Sequence, residues 1–274
     1  MIDLHSHTNH SDGTCSPEEL IVEACRVGVR ALAITDHDTF TGYDQALPHA
    51  RNQGVELVCG IELSTKLHGE SVHLLGYFFN GSRLGGLRAW VLEMQASRRE
   101  RNVRLVARLQ ALGLDITLEE AEARGRGMTG RPHFARIMME KGYVQTIQQA
   151  FDDYLAESAR GYVDRYEPQF TDAVQRIRDA GGIASMAHPI RLKRDLAAIL
   201  PQLRDAGLNA IEAYHSDHSP EDTQTFLTLA ARDGLLVTGG SDFHGSVKPG
   251  IALGTGRGGN VSVPADVLES LRVV

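Results

Sequence analysis

Short apolar stretches rich in β-branched residues recur along the chain, and stretches with helical periodicity alternate with them. A bounded apolar run of four to eight residues is typical of a strand that is buried on both faces. The pattern predicts seven strands, over residues 2–8, 30–36, 57–64, 71–79, 182–187, 210–215 and 235–239.

Helical signals separate most of these strands. Ser16 and Pro17, followed by two acidic residues, predict a helix that ends near Val27, because a serine cap and a proline in the first turn both favour helix initiation. Further helices are predicted over residues 172–180, 193–206 and 221–233. Alternating strands and helices indicate an α/β fold in which helices cover a parallel sheet.

The middle of the chain lacks this alternation. After Asn80-Gly81 the pattern is helical and rich in arginine over residues 84–111, and shorter helical segments interrupted by glycines follow over residues 118–159. We therefore expect an α/β domain from residues 1–82 and 161–274. Residues 83–160 are expected to form a helical insertion that provides substrate selectivity.

Composition excludes several classes of protein. No apolar run approaches the roughly 18 residues of a membrane span, and the N-terminus does not resemble a signal peptide, so we expect a cytoplasmic protein without a membrane partner. The three cysteines contain no CxxC pair, which disfavours a disulfide framework or a thiolate zinc site. The formal charge of −7 disfavours binding of long duplex nucleic acid. No protein partner is inferred.

Histidines and acidic residues cluster where the predicted strands end. In a parallel barrel the C-terminal ends of the strands meet at one mouth, where active sites lie. Imidazole and carboxylate ligands without cysteine suit Zn²⁺, Mn²⁺ or Fe²⁺. Glu212 and His215 lie near the predicted mouth and could be ligands or supporting residues. The residues that carry the pattern are His5, His7, Asp12, His37, Glu62, His188, Asp242 and His244 at strand ends, and His73 within the fourth strand.

This pattern indicates hydrolysis of a phosphate ester. Two or more neighbouring metals can clamp a phosphoryl group and supply hydroxide near neutral pH. A single strand histidine is more often a packing or surface residue, so the prediction depends on the joint occurrence of these positions. The chain has neither a GxSxG nor a P-loop motif that would indicate another chemistry. The histidines without a motif, His10, His49, His68 and His218, are expected at the surface.

The motifs MIDLHSHTNHSDG, ITDHDT, GIELST, HLLGYF, MAHP and GGSDFHG resemble those of the PHP (polymerase and histidinol phosphatase) superfamily. The resemblance covers residues 1–80 and 182–245 and implies a distorted (β/α)7 TIM-like barrel with a trinuclear metal site. The metal would be Mn²⁺, with Fe²⁺ or Zn²⁺ as alternatives. The implied ligands are His5, His7, Glu62 and Asp242 for one metal, Asp12, His37 and His244 for a second, and His73 and His188 with bridging Glu62 for the third.

Substrate contacts are expected from the insertion and from the mouth. Arginines in ASRRERNVRL align partly on one helix face, although for each arginine taken singly a solvated basic face is the favoured explanation. The segment TGRPHFA resembles a segment of the nucleotide-directed subfamily, which implies that an arginine and a histidine reach a phosphate. For that histidine a role beside the helix N-terminus is the alternative. The predicted substrate-binding residues are Arg99, Arg131, His133 and Arg191.

The resemblance implies a phosphatase that removes the 3′-phosphate from nucleoside 3′,5′-bisphosphates, such as adenosine 3′,5′-bisphosphate. A metal-bridging hydroxide would attack phosphorus, and Asp36 or Asp38 would orient His37 or a water. The near alternative is a 5′-3′ exoribonuclease acting on short 5′-phosphorylated RNA. A histidinol-phosphate phosphatase is disfavoured by the arginine-rich insertion, and a non-catalytic metal-binding module by the complete set of nine positions.

Overall fold

Seven strands form one sheet in which the order in space follows the order in the chain. The computed structural model describes residues 1–79, 83–125 and 128–273. The amide of Leu4 donates to the carbonyl of Gly239, and the amide of Asp242 donates to the carbonyl of His5, so the first and last strands meet and nearly close a barrel. The strands are β1 (Ile2–Asp3), β2 (Ala31–Ile34), β3 (Glu56–Leu67), β4 (Glu70–Phe78), β5 (Ile183–Met186), β6 (Ala210–His215) and β7 (Leu236–Gly240).

Helices follow most strands and cover the barrel, as the alternating pattern predicts. Four of the helices in the described residues belong to the middle of the chain and are followed there by a π-helical segment, Phe151–Leu155. A small hairpin of β8 (Ile251–Ala252) and β9 (Gly256–Arg257) follows the barrel. The helices are α1 (Pro17–Val27), α2 (Thr41–Gln53), α3 (Leu84–Ala111), α4 (Leu118–Gly125), α5 (Arg131–Glu140), α6 (Ile147–Ala150), α7 (Phe170–Asp179), α8 (Leu196–Asp205), α9 (Pro220–Asp233) and α10 (Ala265–Arg272).

The prediction of a wholly parallel sheet is wrong at β4, which runs antiparallel to both β3 and β5. Only His68 and Gly69 separate β3 from β4, and both have positive φ. So short a connection joins antiparallel strands, whereas a parallel pair needs a long crossover. The reversal places His73, near the start of β4, beside Ser64 in the second half of β3. This explains why a histidine inside a strand reaches the same mouth as residues at the ends of the other strands.

The observed boundaries differ from the predicted ones at several places. β1 leaves the ladder after Asp3, although Ser6 still pairs with Phe243 as an isolated bridge. The sequence pattern did not predict α2, because its buried positions are small residues and it contains Pro48. It also did not predict α10 or the β8–β9 hairpin.

The first half of α3 packs into the barrel core with Trp90 and Met94, whereas the middle helices from Leu105 onward bury a separate set of apolar side chains. Leu105, Phe134 and Leu155 belong to a core among the middle helices, whereas Leu74 and Phe170 belong to a barrel core. Within residues 83–125 and 128–160 no strand is present, as expected. The proposed boundary at residue 82 and the predicted helix break at Gly127 lie outside the described residues. Among the described helices, none is long and apolar enough to span a membrane.

Candidate metal centre

Glu62 lies at the centre of a cluster of imidazoles and is 1% exposed. Its Oε2 lies 3.2 Å from Nε2 of His5 and 3.1 Å from Nε2 of His7. Its Oε1 lies 2.8 Å from Nδ1 of His73 and 3.0 Å from Nε2 of His188. The two oxygens thus face two different groups of imidazoles, as a carboxylate that bridges two metals must.

A second group of donors surrounds Asp12. Its Oδ1 lies 3.2 Å from Nε2 of His244, and its Oδ2 lies 3.6 Å from Nε2 of His37. Together with His7, these residues offer four ligand atoms that all lie within 4.8 Å of one another. The nine side chains that the motifs single out are therefore brought together in one place.

Asp242 connects the imidazoles to two cations. Its Oδ1 lies 3.6 Å from His5 Nε2 and 3.5 Å from His7 Nε2. Its Oδ2 faces Lys248 Nζ at 2.6 Å and Arg191 Nη2 at 3.1 Å. Oδ1 is therefore available to a metal, while Oδ2 is held by the two cations.

Two residues of the centre have a left-handed backbone, His188 at φ +27° and Asp242 at φ +55°. Such conformations of non-glycine residues cost about 1–3 kcal/mol each and cluster at functional sites. Buried hydrogen bonds hold both segments. The amide of His188 donates to Oε2 of Glu212 at 2.7 Å, and the amide of Ser241, next to Asp242, donates to Oδ1 of Asp3 at 2.9 Å.

Glu212 supports the centre instead of entering it. It is fully buried, and its Oε1 accepts a hydrogen bond from Nδ1 of His5 at 2.8 Å. Because Glu212 holds the proton on Nδ1, Nε2 is the nitrogen of His5 that is left for a metal, and it faces Glu62 and Asp242. A carboxylate behind a ligating histidine fixes the ring and raises its basicity.

His215 has a similar supporting position behind Asp242. Its Nδ1 accepts from the amide of Asp217 at 3.0 Å, so the proton is on Nε2, which lies 3.4 Å from Oδ2 of Asp242. His218, which was expected at the surface, is buried at 3% exposure against His215. That expectation is wrong because the Nδ1–H of His218 donates to the carbonyl of Ala213 and folds the ring inward.

The donor set fits divalent metals. Nε2 of His7, Nδ1 of His37 and Nδ1 of His73 are buried without a hydrogen-bond partner among the described residues. Buried polar atoms without partners are rare in native proteins and often mark an ion or a water site. Imidazole nitrogens grouped with carboxylate oxygens, without a thiolate, are the donors that Zn²⁺, Mn²⁺ and Fe²⁺ accept.

Electrostatics keep most donors in their ligand forms at neutral pH. Burial lowers the pKa of both His37 and His188 to about 3, so both rings are neutral. Burial alone would raise the pKa of Glu62, but the surrounding imidazoles hold it well below its usual value. Burial also opposes protonation of His7, yet Asp242 and Glu62 raise its pKa to about 9. Burial likewise opposes protonation of His5, but Glu212, Glu62 and Asp242 hold its pKa well above the usual value. Metal binding near neutral pH therefore displaces a proton from both His5 and His7.

The PHP domain family matches residues 3–180. The chain belongs to the PHP domain family. It is 32% identical over 245 residues to a 5′-3′ exoribonuclease from Haemophilus influenzae, covering 88% of this chain and 89% of that one. It is 33% identical over 258 residues to a 3′,5′-nucleoside bisphosphate phosphatase from Chromobacterium violaceum, covering 92% and 90%.

The fold of this PHP protein has a close counterpart among solved structures. An amidohydrolase from Chromobacterium violaceum, with bound sulfate and no metal, superposes with a TM-score of 0.87 at 30% identity. The similarity covers 99% of this chain and 96% of that one. The family, the fold and the donor cluster together identify a metal-dependent phosphoesterase, a phosphoric ester hydrolase.

The metal centre of this PHP phosphoesterase opens into a cleft of about 440 Å³, lined by the barrel and by the middle helices. Besides Arg191 at the donor cluster, four arginines line the cleft: Arg98, Arg101, Arg131 and Arg165. Asp38 faces two of them, since Arg98 donates to its Oδ2 and Arg165 Nη1 lies 3.6 Å from the same oxygen. Glu167 lies 2.8 Å from Arg165.

This arginine cluster carries more positive charge than the carboxylates beside it balance. Among the described residues Arg101 makes no ion pair, and its Nε is buried without a hydrogen-bond partner. Burial, together with the neighbouring guanidiniums of Arg98, Arg165 and Arg131, lowers the pKa of Arg101 to about 8. An anion bound here would relieve this repulsion and satisfy the free N–H groups.

The structure places the predicted substrate-binding residues in different surroundings. Arg131 and Arg191 line the cleft. His133 is buried, and its Nδ1 accepts from the amide of Gly130 at 3.0 Å, which is the alternative role at the helix N-terminus. Arg99 lies outside the cleft, where its 64%-exposed side chain pairs with Glu122 at 2.8 Å.

Other residues of the cleft were not recognised from the sequence. Arg101 is one of the arginines of ASRRERNVRL whose spacing aligns them on one helix face, but it was not among the predicted substrate contacts; it lies three positions after Arg98 on the buried face of α3. Arg165 carries no sequence signal for this role, because the fold brings it to the cleft from a segment without a motif. Lys248 lies six positions after Asp242, and its closeness to that motif is the signal that could have indicated it.

The expectation that Asp36 or Asp38 orients His37 is not met. Asp36 accepts hydrogen bonds from the amide and hydroxyl of Thr8 and from the hydroxyl of Ser11. Asp38 is occupied by the arginine cluster.

Proposed function

We propose that this PHP phosphoesterase hydrolyses the 3′-phosphate of nucleoside 3′,5′-bisphosphates. One observation carries the proposal: a single cleft contains both the nine-residue donor cluster and a separate group of arginines with unbalanced positive charge. A substrate with one phosphate would satisfy one of these regions. A bisphosphate satisfies both, with the scissile phosphate at the donor cluster and the 5′-phosphate at the arginines.

The proposed metal ligands are the nine residues of the donor cluster, with Glu62 shared between two metals. Three Mn²⁺ ions are proposed, because three groups of donors are available around Glu62, Asp12 and Asp242. When bound, such metals supply Lewis acidity toward the phosphate and activate water near neutral pH.

The chain's own residues would bind and orient the substrate. Arg101, Arg131 and Arg165 present planar guanidiniums that suit bidentate contact with the distal phosphate. Arg191 and Lys248 already contact Asp242 at the donor cluster and would also face the oxygens of the scissile phosphate. The buried carboxylates of Glu212 and Asp3 keep the donors in place while the substrate binds and leaves.

A 5′-3′ exoribonuclease is the second candidate, and the same two regions favour it. The arginines would bind the 5′-phosphate of a short RNA, and the first phosphodiester would lie at the donor cluster. Relatives of similar identity carry either name. The two activities differ in what the attacked phosphate carries besides the first nucleotide, which is nothing further in a bisphosphate and the rest of the RNA in an oligonucleotide, so substrate comparison must separate them.

The test is product formation by Mn²⁺-loaded protein with four substrates: adenosine 3′,5′-bisphosphate, 5′-AMP, histidinol phosphate and a 5′-phosphorylated RNA tetramer. We expect rapid conversion of the bisphosphate to 5′-AMP and phosphate, resolved by chromatography, and loss of this conversion in Asp242→Asn. If only the tetramer is consumed, the exoribonuclease replaces the phosphatase. Preferential hydrolysis of histidinol phosphate would refute both nucleotide activities.

A matched pair of variants tests the distal phosphate site. Arg101→Gln should raise KM for the bisphosphate by about 10- to 100-fold, because hydrogen bonds to charged groups contribute roughly 1.5–3 kcal/mol. Arg99→Gln on the same helix should leave KM unchanged, since Arg99 lies outside the cleft. Metal content, measured by elemental analysis, should stay the same in both. Equal effects of the two substitutions would contradict the assignment of the 5′-phosphate to the arginine cluster.

A further inference from the structure

We propose that Phe151, Ile147 and Pro132 form a stacking surface for the nucleobase of the substrate, and that this surface accepts any base. All three residues line the cleft that contains the donor cluster and the arginines. The inference rests on the proposed function, in that the substrate is taken to be a nucleotide. It adds which part of the cleft holds the base and how selective that part is.

Phe151 and Ile147 are anchored on one side and available on the other. Both are partly buried and pack against the core of the middle helices, with one face left toward the cleft. An apolar side chain fixed in this way loses little conformational freedom when a ligand packs on it. The pair therefore provides a preorganised apolar surface in a cleft whose other groups are mostly charged.

The backbone at Phe151 is unusual in a way that singles out this position. Phe151 begins the π-helical segment, and its carbonyl accepts from the amide of Ala156, five residues later, at 2.8 Å. Single π turns are rare and occur frequently at functional sites. The wide turn directly follows the four-residue α6, so it determines the direction in which the side chain of Phe151 points.

The charges of the cleft identify the occupant. Pro132 directly follows Arg131, so the apolar surface adjoins the arginine cluster that would bind the 5′-phosphate. A ligand with an anionic group at the arginines and a flat apolar group beside it matches a nucleotide. Bases stack on aromatic side chains with a strength that depends little on base identity. The three side chains of the surface have no hydrogen-bonding groups, so they cannot distinguish bases by hydrogen bonds to the base edges.

The test compares equilibrium binding of 5′-AMP, 5′-GMP and ribose 5-phosphate to the Mn²⁺-loaded protein by calorimetry. We expect the two nucleotides to bind within about threefold of each other and roughly 5- to 150-fold more tightly than ribose 5-phosphate, the range that stacking of one base supplies. Phe151→Leu should remove most of this preference, and Phe151→Tyr should retain it. Tyr154→Leu is the matched control, since Tyr154 belongs to the same π segment and packs against Arg160 outside the cleft.

Two outcomes would overturn the proposal. Equal affinity for 5′-AMP and ribose 5-phosphate would show that the protein gains nothing from the base. If Phe151→Leu still binds the nucleotides more tightly than ribose 5-phosphate to the same extent, the base must bind elsewhere. Neither outcome depends on hydrolysis of the bisphosphate, so failure of the proposed function in the activity assay is distinguishable from failure of the stacking surface.

Discussion

Individual side chains at the donor cluster depend on partners that lie behind them. The nine candidate donor residues belong to motifs that are visible in the sequence. The sequence does not show which atom of each side chain is the donor. His5 presents Nε2 because Glu212 accepts the proton of Nδ1, and His215 presents a proton to Asp242 because Asp217 donates to its Nδ1. From the sequence alone, Glu212 and His215 could be metal ligands or residues that support the ligands. Only their hydrogen bonds distinguish the two roles.

Replacing Glu212 by glutamine tests this dependence. Glu212→Gln keeps the shape of the side chain but removes the charge behind His5, and supporting carboxylates of this kind typically contribute 10- to 100-fold in metal affinity. We expect a decrease of that size in Mn²⁺ affinity, measured by competition with a chelating dye. Glu221→Gln, on the exposed first turn of α9, is the control. Unchanged affinity in Glu212→Gln would argue against the supporting role.

The lowered pKa of Asp38 predicts that the stability of the metal-free protein depends on pH. Burial opposes its ionisation, but Arg98 and Arg165 lower its pKa to about 2, below the usual value near 3.9. Because the folded pKa is depressed, the stabilisation is complete above about pH 4 and is lost as the pH falls toward 2. Its size is about 2 kcal/mol.

Urea unfolding between pH 2.5 and 5 measures the contribution of ionised Asp38 to the free energy of unfolding. Asp38→Asn should have a lower free energy of unfolding at pH 5 and a shallower decrease with falling pH than the unsubstituted protein. Asp44→Asn removes an exposed pair with Arg88 and should change stability by less than about 1 kcal/mol. Parallel curves for Asp38→Asn and the unsubstituted protein would contradict the depressed pKa.

At the scale of elements, direction and face decide what each segment contributes. The reversal of β4 brings His73 to the mouth, and the face of α3 that carries Arg98 and Arg101 points to the cleft while Arg99 points away. The periodicity predicted α3 and β4 themselves. It did not predict their orientation, because a turn of two residues and the packing of a long helix are decided by contacts distant in sequence.

The separate core of the middle helices predicts separable stability. Phe134 is fully buried there, and Phe134→Ala should destabilise this region by about 3–5 kcal/mol. Hydrogen exchange should accelerate in the second half of α3, in α4 and in α5 but not in β2, β3 and β6, and the metal content should be retained. Phe170→Ala, in the barrel core, should instead loosen the strands and reduce metal content. Uniform acceleration in Phe134→Ala would show that the two cores unfold as one.

For the molecule as a whole, the donor cluster lies where the strands of the barrel converge. Its ligand candidates come from the segments that follow β1, β2, β5 and β7, from the start of β4 and from the middle of β3, where Glu62 lies instead of at the strand end expected from the sequence. Metal binding to them should therefore stabilise the folded barrel relative to the unfolded chain. The imidazoles and carboxylates that meet here would otherwise be buried with unsatisfied nitrogens.

Removal of metal should lower the melting temperature of the whole protein. One site with free metal at 100 times its Kd adds about 2.7 kcal/mol to the free energy of unfolding. Calorimetry with Mn²⁺ and with chelator should show a clear difference in Tm, and Glu62→Gln should remove most of it because Glu62 faces both groups of imidazoles. Equal Tm values with and without metal would contradict a metal centre that links the strands.

The sequence by itself determined the α/β class, the positions of most strands and helices and the family, and it singled out the nine candidate donors that lie together in the structure. These features depend on local periodicity and on short motifs, which are properties of neighbouring residues. Only the tertiary structure decided the direction of β4, the donor atom of His5, the supporting roles of Asp3 and Glu212, and the meeting of Arg98, Arg101 and Arg165. Each of these depends on a turn or on contacts between segments far apart in the chain, where burial and charge balance act.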